Sequence, residues 1–448
     1  MRELFLTLGK KLFAELKSGE ELGLFLSAEQ TDYVRFNQSR VRQSTFVEQK
    51  VMTLTFQSQS RKVVFDLTLA GIYDIDLAQS LSLLERAREE VQVLPQDDFV
   101  SPMKNAGQSQ QEHKGKLPPV NQAIEEICEA SKHVDLAGFL AMGMTVRASL
   151  NHLGQNHWFS TESFFFDYSL YTKNANGENK AAKGTYAGTE WDSKALAENI
   201  QASVHWIELL KKPTQSIPRG SYRVYMAPAA VADLVGMLNW AGLSLNSYKN
   251  GSSPLNQLIE KERFFHPAIT VEENFGLGLS PRFNSLGEVA PENLKLIENG
   301  KLQNLFVSSR SAQEYSVPTN FSDTWESCRS MNMLPGTGST SFPSAEALER
   351  LGTGLYLGNL HYLNWSDLKT ARITGMTRFA CFWVEKGQVV GPIQDLRFDE
   401  SLYRCLGSEV EALTAESFVA PEVDTYYQRA LGGKKVPGLL LKDFTFTL

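Results

Sequence analysis

Several things are scarce in this sequence, and each scarcity closes off a class of function. Its four cysteines, Cys128, Cys328, Cys381 and Cys405, form no C-x-x-C pair and lie far apart. In a chain of 448 residues they read as reduced thiols, not as a disulfide framework. No apolar run reaches the ~18–20 residues a helix needs to cross a bilayer. No strongly basic region stands out and the formal charge is −7, which disfavours direct binding of DNA or RNA. The N-terminus also lacks the uninterrupted apolar stretch of a secretory signal. Glu3, Lys10, Lys11, Glu15 and Lys17 interrupt Leu4, Phe5, Leu8, Leu12, Phe13 and Leu16, whose spacing predicts an amphipathic helix lying on a core. A cytoplasmic protein without a membrane or nucleic-acid partner is expected.

What is present is ordinary globular material, 42% hydrophobic and 21% charged, long enough for two or three domains. After the first helix, extended runs rich in Val, Thr and Phe occur at about 22–28, 32–38, 44–57 and 61–70. A helix is predicted from about Asp76 to Val93, with Asp74 or Asp76 as its N-cap. Residues 95–118 change character: four prolines flank a Gln/Ser/Lys-rich tract with too little apolar surface to compensate for ordering, which predicts a flexible linker. A middle α+β block follows, with helices near 119–133 and 192–211 and strands near 136–149, 156–172 and 181–190.

From Gly220 onward the signals are mostly β. Tyr222–Met226 reads as a strand, and Ala227-Pro228-Ala229-Ala230 opens a helix with proline in its first turn, where no amide is missed. Residues 294–302 contain Asn299-Gly300 between apolar flanks and predict a hairpin, because Asn-Gly readily takes the positive φ of a tight turn. Residues 379–390 repeat the pattern, and 437–446 reads as a closing strand. The expected fold class is α+β: an N-terminal subdomain at 1–94, a linker at 95–118, a middle subdomain at 119–213 and a β-rich C-terminal domain at 219–448.

Few residues offer chemistry. His152 and His157 are five apart, but Gly154 between them predicts a solvated turn between strands. Cys381 sits in an apolar strand without an identifiable base, so a buried structural thiol is expected. The tract Pro335–Ser341 lacks the Gly-Lys-Ser/Thr ending of a phosphate loop. Phe164-Phe165-Phe166 reads as core or dimer contact.

The ordered phrases Gly220–Ala230, Leu296–Leu302, Leu334-Pro335-Gly336, Gly354–Leu357 and Trp383–Gly387 resemble the C-terminal half of the TldD/PmbA family, the modulators of gyrase. The resemblance implies an intracellular peptidase component acting on small unfolded peptides, and a two-domain fold that pairs around an enclosed cavity. It also implies where zinc belongs. The TldD type carries His-Glu-x-x-x-His on the helix after the Ala-Pro strand exit, with a cysteine near the C-terminus as third ligand. Zinc needs such ligands, and the glutamate activates a water in the open fourth position.

Here that helix reads Ala232-Asp233-Leu234-Val235-Gly236-Met237-Leu238-Asn239-Trp240-Ala241-Gly242-Leu243. No His-Glu dipeptide occurs in the chain, and no cysteine follows Cys405. The resemblance is therefore to the TldE/PmbA-like member that lacks the zinc motif. No catalytic residue, metal ligand or bound cofactor is expected in this chain. Zinc is expected in a TldD-like partner, and unfolded peptide is the expected substrate. The pairing is with that zinc-bearing subunit or with a second copy. By motif position, Asn239, Trp240, Ser244 and Asn246 are expected to face the cavity where zinc otherwise sits. Two other readings stand beside this one: a peptide-binding or regulatory homodimer without peptidase activity, and a self-sufficient hydrolase with an unrecognised nucleophile.

Overall fold

The computed structural model describes residues 1–447. The amphipathic start forms helix α1 (Arg2–Ala14), burying Phe5, Leu8 and Leu12. The first four extended runs fuse into three strands, β1 (Glu20–Asn37), β2 (Arg40–Ser58) and β3 (Arg61–Thr68). Their turns, Gln38-Ser39 and Gln59-Ser60, both hold two residues at positive φ, the twist-matched geometry of two-residue hairpins. Helix α2 (Tyr73–Val93) follows, but Ile72 is its N-cap residue. Asp76 instead reaches back, accepting from the amides of Ala70 and Gly71 at 2.7 and 2.9 Å. The carboxylate expected to cap the helix ties down the loop before it.

Residues 95–118 depart from the linker that their composition predicts. Gln108–His113 form β4, which adds in parallel to Asn156–Thr161. The Met103 amide donates to Glu21 at 2.8 Å. Backbone and side-chain hydrogen bonds hold this tract where apolar burial does not. Beyond it come α3 (Val120–Ser131), β5 (Asp135–Asn151), β6 (Asn156–Lys173), β7 (Asn179–Gly188) and α4 (Ser193–Leu210). Asp192 caps α4, accepting from the amides of Lys194 and Ala195.

Strand β1 pairs with β5 from Gly23↔Asn151 to Phe36↔Gly138. The first and middle blocks therefore share one seven-stranded sheet, ordered β3-β2-β1-β5-β6-β4 with β7 also on β6. The linker joins two parts of one sheet. It does not separate two sheets.

The C-terminal domain holds β8 (Gly220–Met226), helix α5 (Pro228–Gly236), β9 (Val271–Asn274), β10 (Asn293–Glu298), β11 (Lys301–Leu302), β12 (Ser330–Met333) and β13 (Ser341–Phe342). It continues with β14 (Gly354–Asp367), β15 (Arg372–Glu385), β16 (Gln388–Pro392), β17 (Arg397–Ser401), β18 (Val410–Pro421) and β19 (Gly433–Phe446). Both expected hairpins form, with Asn299-Gly300 and Lys386-Gly387 at positive φ in their turns. The closing strand β19 lies inside the sheet, pairing with β8, β12, β17 and β18. Because β8 also pairs with β14, the path β8-β14-β15-β17-β19 closes on itself.

Helix α5 packs on β14 and β19. Ala230, Val231, Leu234 and Val235 are fully buried there. The two sheets meet through α4: Trp206 lies 4.9 Å from the ring of Tyr356 and 5.4 Å from that of Phe382. Together these are the α+β class and the β-rich C-terminal domain expected from sequence.

Candidate functional site

The junction of the two sheets encloses a cavity of about 470 Å³. Into it converge Asp167 of β6, Lys183 of β7, Trp206 of α4, Asp233 of α5, Asn359 of β14 and Lys434 of β19. A second cavity of about 290 Å³ adjoins it, and the two share Thr185, Asn199, Phe418, Pro421 and Glu422.

Asp233 is the one charged residue in an otherwise apolar helix (PAAVADLVG). One of its oxygens accepts from the Leu360 amide at 3.0 Å. Burial pushes its carboxyl up to about 6, against the opposing pull of that amide and of Lys183 and Lys434. The group therefore exchanges a proton near neutral pH inside a cavity that also presents two lysines. Lys183 pairs with Asp167 at 3.3 Å. The Lys434 chain crosses Gly236, where a Cβ would stand 3.4 Å from its Cε.

Residues 422–432 strap the C-terminal domain to the first sheet, closed by a bond from the Glu422 amide to the Gly432 carbonyl at 3.0 Å. Buried Arg429 pins the strap, donating to the carbonyls of Ser163 and Gly143 and to the Ser163 hydroxyl. Arg147 donates to the Arg429 carbonyl at 3.2 Å. Glu29, also buried, accepts from Thr31, Tyr33 and Gln49 and from the Arg429 amide. Desolvation pushes both guanidiniums down to about 10, yet both stay charged at neutral pH.

Asn239, Trp240, Ser244 and Asn246 are not among the residues lining this cavity. Helix α5 ends at Gly236, a single 3-10 turn (Met237–Asn239) follows, and Ala241 takes a φ of 66°. This reversal carries the chain away from the cavity before Ser244 is reached. The Asn239 amide group bonds both backbone groups of Cys328. Ser244 and the Asn246 amide both bond Glu326. Trp240 is 52% exposed, and its carbonyl accepts from the Trp365 indole at 3.2 Å. These residues organise a loop.

The histidine pair is likewise split. His152 sits at the turn, but His157 is buried in β6, stacked on Phe283 at 5.3 Å and bonded to the Ser109 hydroxyl at 2.8 Å. Burial depresses its pKa. Cys381 is buried, bonds the Arg378 carbonyl at 3.2 Å, and its thiol is pushed up to about 11 by burial, so it holds no thiolate at neutral pH. Phe164 and Phe166 lie in the core under α3 and α4.

The donor set at α5 does not fit zinc. Asp233 is the sole ionisable side chain on that helix, the cavity offers no histidine or cysteine, and its Asp167 is paired with Lys183, a poor donor set for a borderline-soft cation. Among the described residues, no group of three or more His, Cys, Asp or Glu stands close enough to hold a metal ion. No described helix is long and apolar enough to cross a membrane.

Sequence reasoning missed Lys183, Asp233, Asn359 and Lys434 as a set. Asp233 alone left a signal, a charge on a helix with no polar face.

Residues 219–448 match the family described as the PmbA/TldA metallopeptidase C-terminal domain. No curated protein matches the chain. Three solved structures share the fold over nearly the whole length. TldE from Thermococcus kodakarensis is 13% identical with a TM-score of 0.79, covering 100% of both chains. A proposed modulator of a DNA gyrase from Thermotoga maritima is 15% identical with a TM-score of 0.78, covering 99% of this chain and 100% of that one. Its counterpart from Bacteroides thetaiotaomicron is 12% identical with a TM-score of 0.75, covering 100% of this chain and 98% of that one.

Proposed function

This chain belongs to the PmbA/TldA metallopeptidase family, and we propose that within it the protein is the non-zinc, TldE/PmbA-like subunit of an intracellular two-protein peptidase. A TldD-like partner carries the zinc, and this chain completes the chamber in which small unfolded peptides are cleaved. One observation carries the reading. By motif order, the helix that bears the metal motif in the TldD type corresponds here to α5, which carries Asp233 and no histidine into a cavity that also holds Lys183 and Lys434. Were zinc bound in the partner, it would polarise the scissile carbonyl and activate water. This chain's own groups would line the path to it. Lys183, Lys434 and Asn359 present N–H donors to the cavity, a set suited to holding peptide carbonyl and carboxylate groups in place.

Mixing tests the proposal. The purified chain is incubated with an unstructured peptide, alone and with a TldD-like zinc-bearing protein, with and without chelator. Chelator-sensitive cleavage only in the mixture is the expected result. Chelator-resistant cleavage by the chain alone would establish a self-sufficient hydrolase. No cleavage in either tube, with peptide still retained, would leave a binding or regulatory homodimer. Stoichiometric zinc in the pure chain would overturn the proposal directly.

A further inference from the structure

We propose that the open limb of β2, with the groove beside it, binds an extended acidic peptide segment by strand addition. This deepens the peptide reading above by naming the peptide class, and its test needs no partner subunit.

Strand β2 runs Arg40–Ser58, but β3 pairs only with Val51–Ser58. Among the described residues, nothing covers the outer edge of β2 from Arg40 to Gln49, while β1 covers its inner edge throughout. The direction of the free groups follows from the last bond made there. The Lys50 carbonyl points outward and accepts from the Leu69 amide at 2.8 Å. In an antiparallel ladder a residue's N–H and C=O point the same way, and the direction alternates along the strand. The register with β1 is regular from Gln43 to Lys50. Ser44, Phe46 and Glu48 therefore turn their backbone donors and acceptors outward, the pattern that a strand-adding peptide reads.

The same limb is the wall of a groove. Gln43, Thr45 and Val47 line a cavity of about 330 Å³ together with Tyr33, Phe139 and Tyr427. Tyr33 and Phe139 stack at 5.6 Å, and Tyr427 at the tip of the strap is 90% exposed. Alternate side chains of an added strand would stand on the same face as this groove, next to Gln43, Thr45 and Val47.

Charge selects the occupant. The register slips between Arg35↔Gln43 and Phe36↔Val41, leaving Arg42 as the extra residue of a bulge. Bulges re-aim side chains, and this one brings Arg42 beside Arg35 at an adjoining cavity of about 440 Å³. None of Arg35, Arg40 and Arg42 belongs to any of the ion pairs formed by the described residues. Arg35 stands over the Phe139 ring at 5.7 Å. The acids nearby are already engaged: Glu29 by Thr31, Tyr33 and Gln49, Glu48 by Lys50, and Asp167 by Lys183. The carboxylates that line the groove and its neighbour, Glu29 and Asp167, are held by partners other than Arg35 and Arg42, and an extended segment carrying acidic side chains supplies both the backbone and a charge for those arginines.

The test measures fluorescence anisotropy of the full chain with a labelled peptide of alternating Glu and Val, against a Lys/Val peptide of equal length. The acidic peptide is expected to bind at least about tenfold more tightly, a difference of ~1.4 kcal/mol, and to weaken as salt rises. Joint substitution Arg35→Ala and Arg42→Ala should remove most of that preference. Phe46→Pro deletes an outward N–H that has no partner within the chain, and should weaken binding while the melting temperature holds. Amide hydrogen exchange supplies a readout independent of any variant: Ser44, Phe46 and Glu48 should gain protection on peptide addition. Equal binding of the two peptides, or unchanged exchange at those amides, would overturn the proposal. So would an oligonucleotide of matched charge binding as tightly as the acidic peptide, because it has no strand to add. Failure here leaves the mixing result untouched, and failure of the mixing experiment leaves this binding measurable.

Discussion

Asp233 is the residue whose surroundings depart furthest from what its type prefers. Its folded pKa of about 6 lies above the ordinary aspartate value of 3.8, so the folded chain holds the proton more tightly. Between about pH 4 and pH 6 the unfolding free energy contributed by this group therefore falls as pH rises. The loss is complete above pH 6 and amounts to about 3 kcal/mol at most. Asp233→Asn keeps an acceptor for the Leu360 amide and removes the charge. Urea unfolding of the two proteins at pH 4.5 and 7.5 should show the variant's stability advantage about 2 kcal/mol larger at the higher pH than at the lower. An unchanged difference between the two pH values would refute the assignment. His157 works in the opposite sense: its depressed pKa gives stability that is present above pH 6.5 and lost as pH falls through the folded value. Both groups were visible as letters, but neither environment was. A histidine beside a Gly turn looks solvated until β4 and Phe283 cover it.

At the scale of elements, two Asn-Gly turns separate local preference from tertiary demand. Gly177, at φ 81°, has nothing within 4 Å of a built Cβ. Gly300, at φ 77°, would place a Cβ 2.2 Å from the Phe265 carbonyl oxygen. Gly177→Ala should cost about 1 kcal/mol, the positive-φ penalty alone. Gly300→Ala should cost roughly 2–4 kcal/mol, because backbone must move as well. Thermal denaturation distinguishes the two, and equal shifts would contradict the contact. The Asn299-Gly300 turn was legible in sequence because the signal is confined to neighbouring residues. The end of α5 was not, since nothing in Ala232–Leu243 beyond two glycines announces the reversal at Ala241.

Across the whole molecule, stability rests on α4 as the layer between the sheets. Trp206→Ala removes the ring packed on Tyr356 and Phe382. The expected loss is roughly 3 kcal/mol, the low end for a large aromatic because the indole keeps some exposure. The unfolding transition should also broaden as the two sheets lose their shared layer. Calorimetry reads both effects, and a sharp transition at the original temperature would place the coupling elsewhere. The strap at 422–432 is the second tie. Its Arg429 loses three hydrogen bonds on truncation to Ala and leaves buried Glu29 with Arg147 as its remaining neighbouring cation.

Sequence alone determined the elements whose signals are local: the amphipathic α1, the hairpins at Asn299-Gly300 and Lys386-Gly387, and the ordered phrases from Gly220 onward that carry the family. Each depends on periodicity or on dihedral preferences within a few residues. Tertiary structure decided the rest. It merged two apparent subdomains into one sheet by pairing β1 with β5, ordered part of the polar tract as β4, and buried His157. It also assembled a cavity, not lined by Asn239, Trp240, Ser244 or Asn246, where Asp233 meets residues from five other elements. Pairing across more than 100 residues, and the burial that shifts a carboxyl, are properties of the packed chain. No window of neighbouring letters contains them.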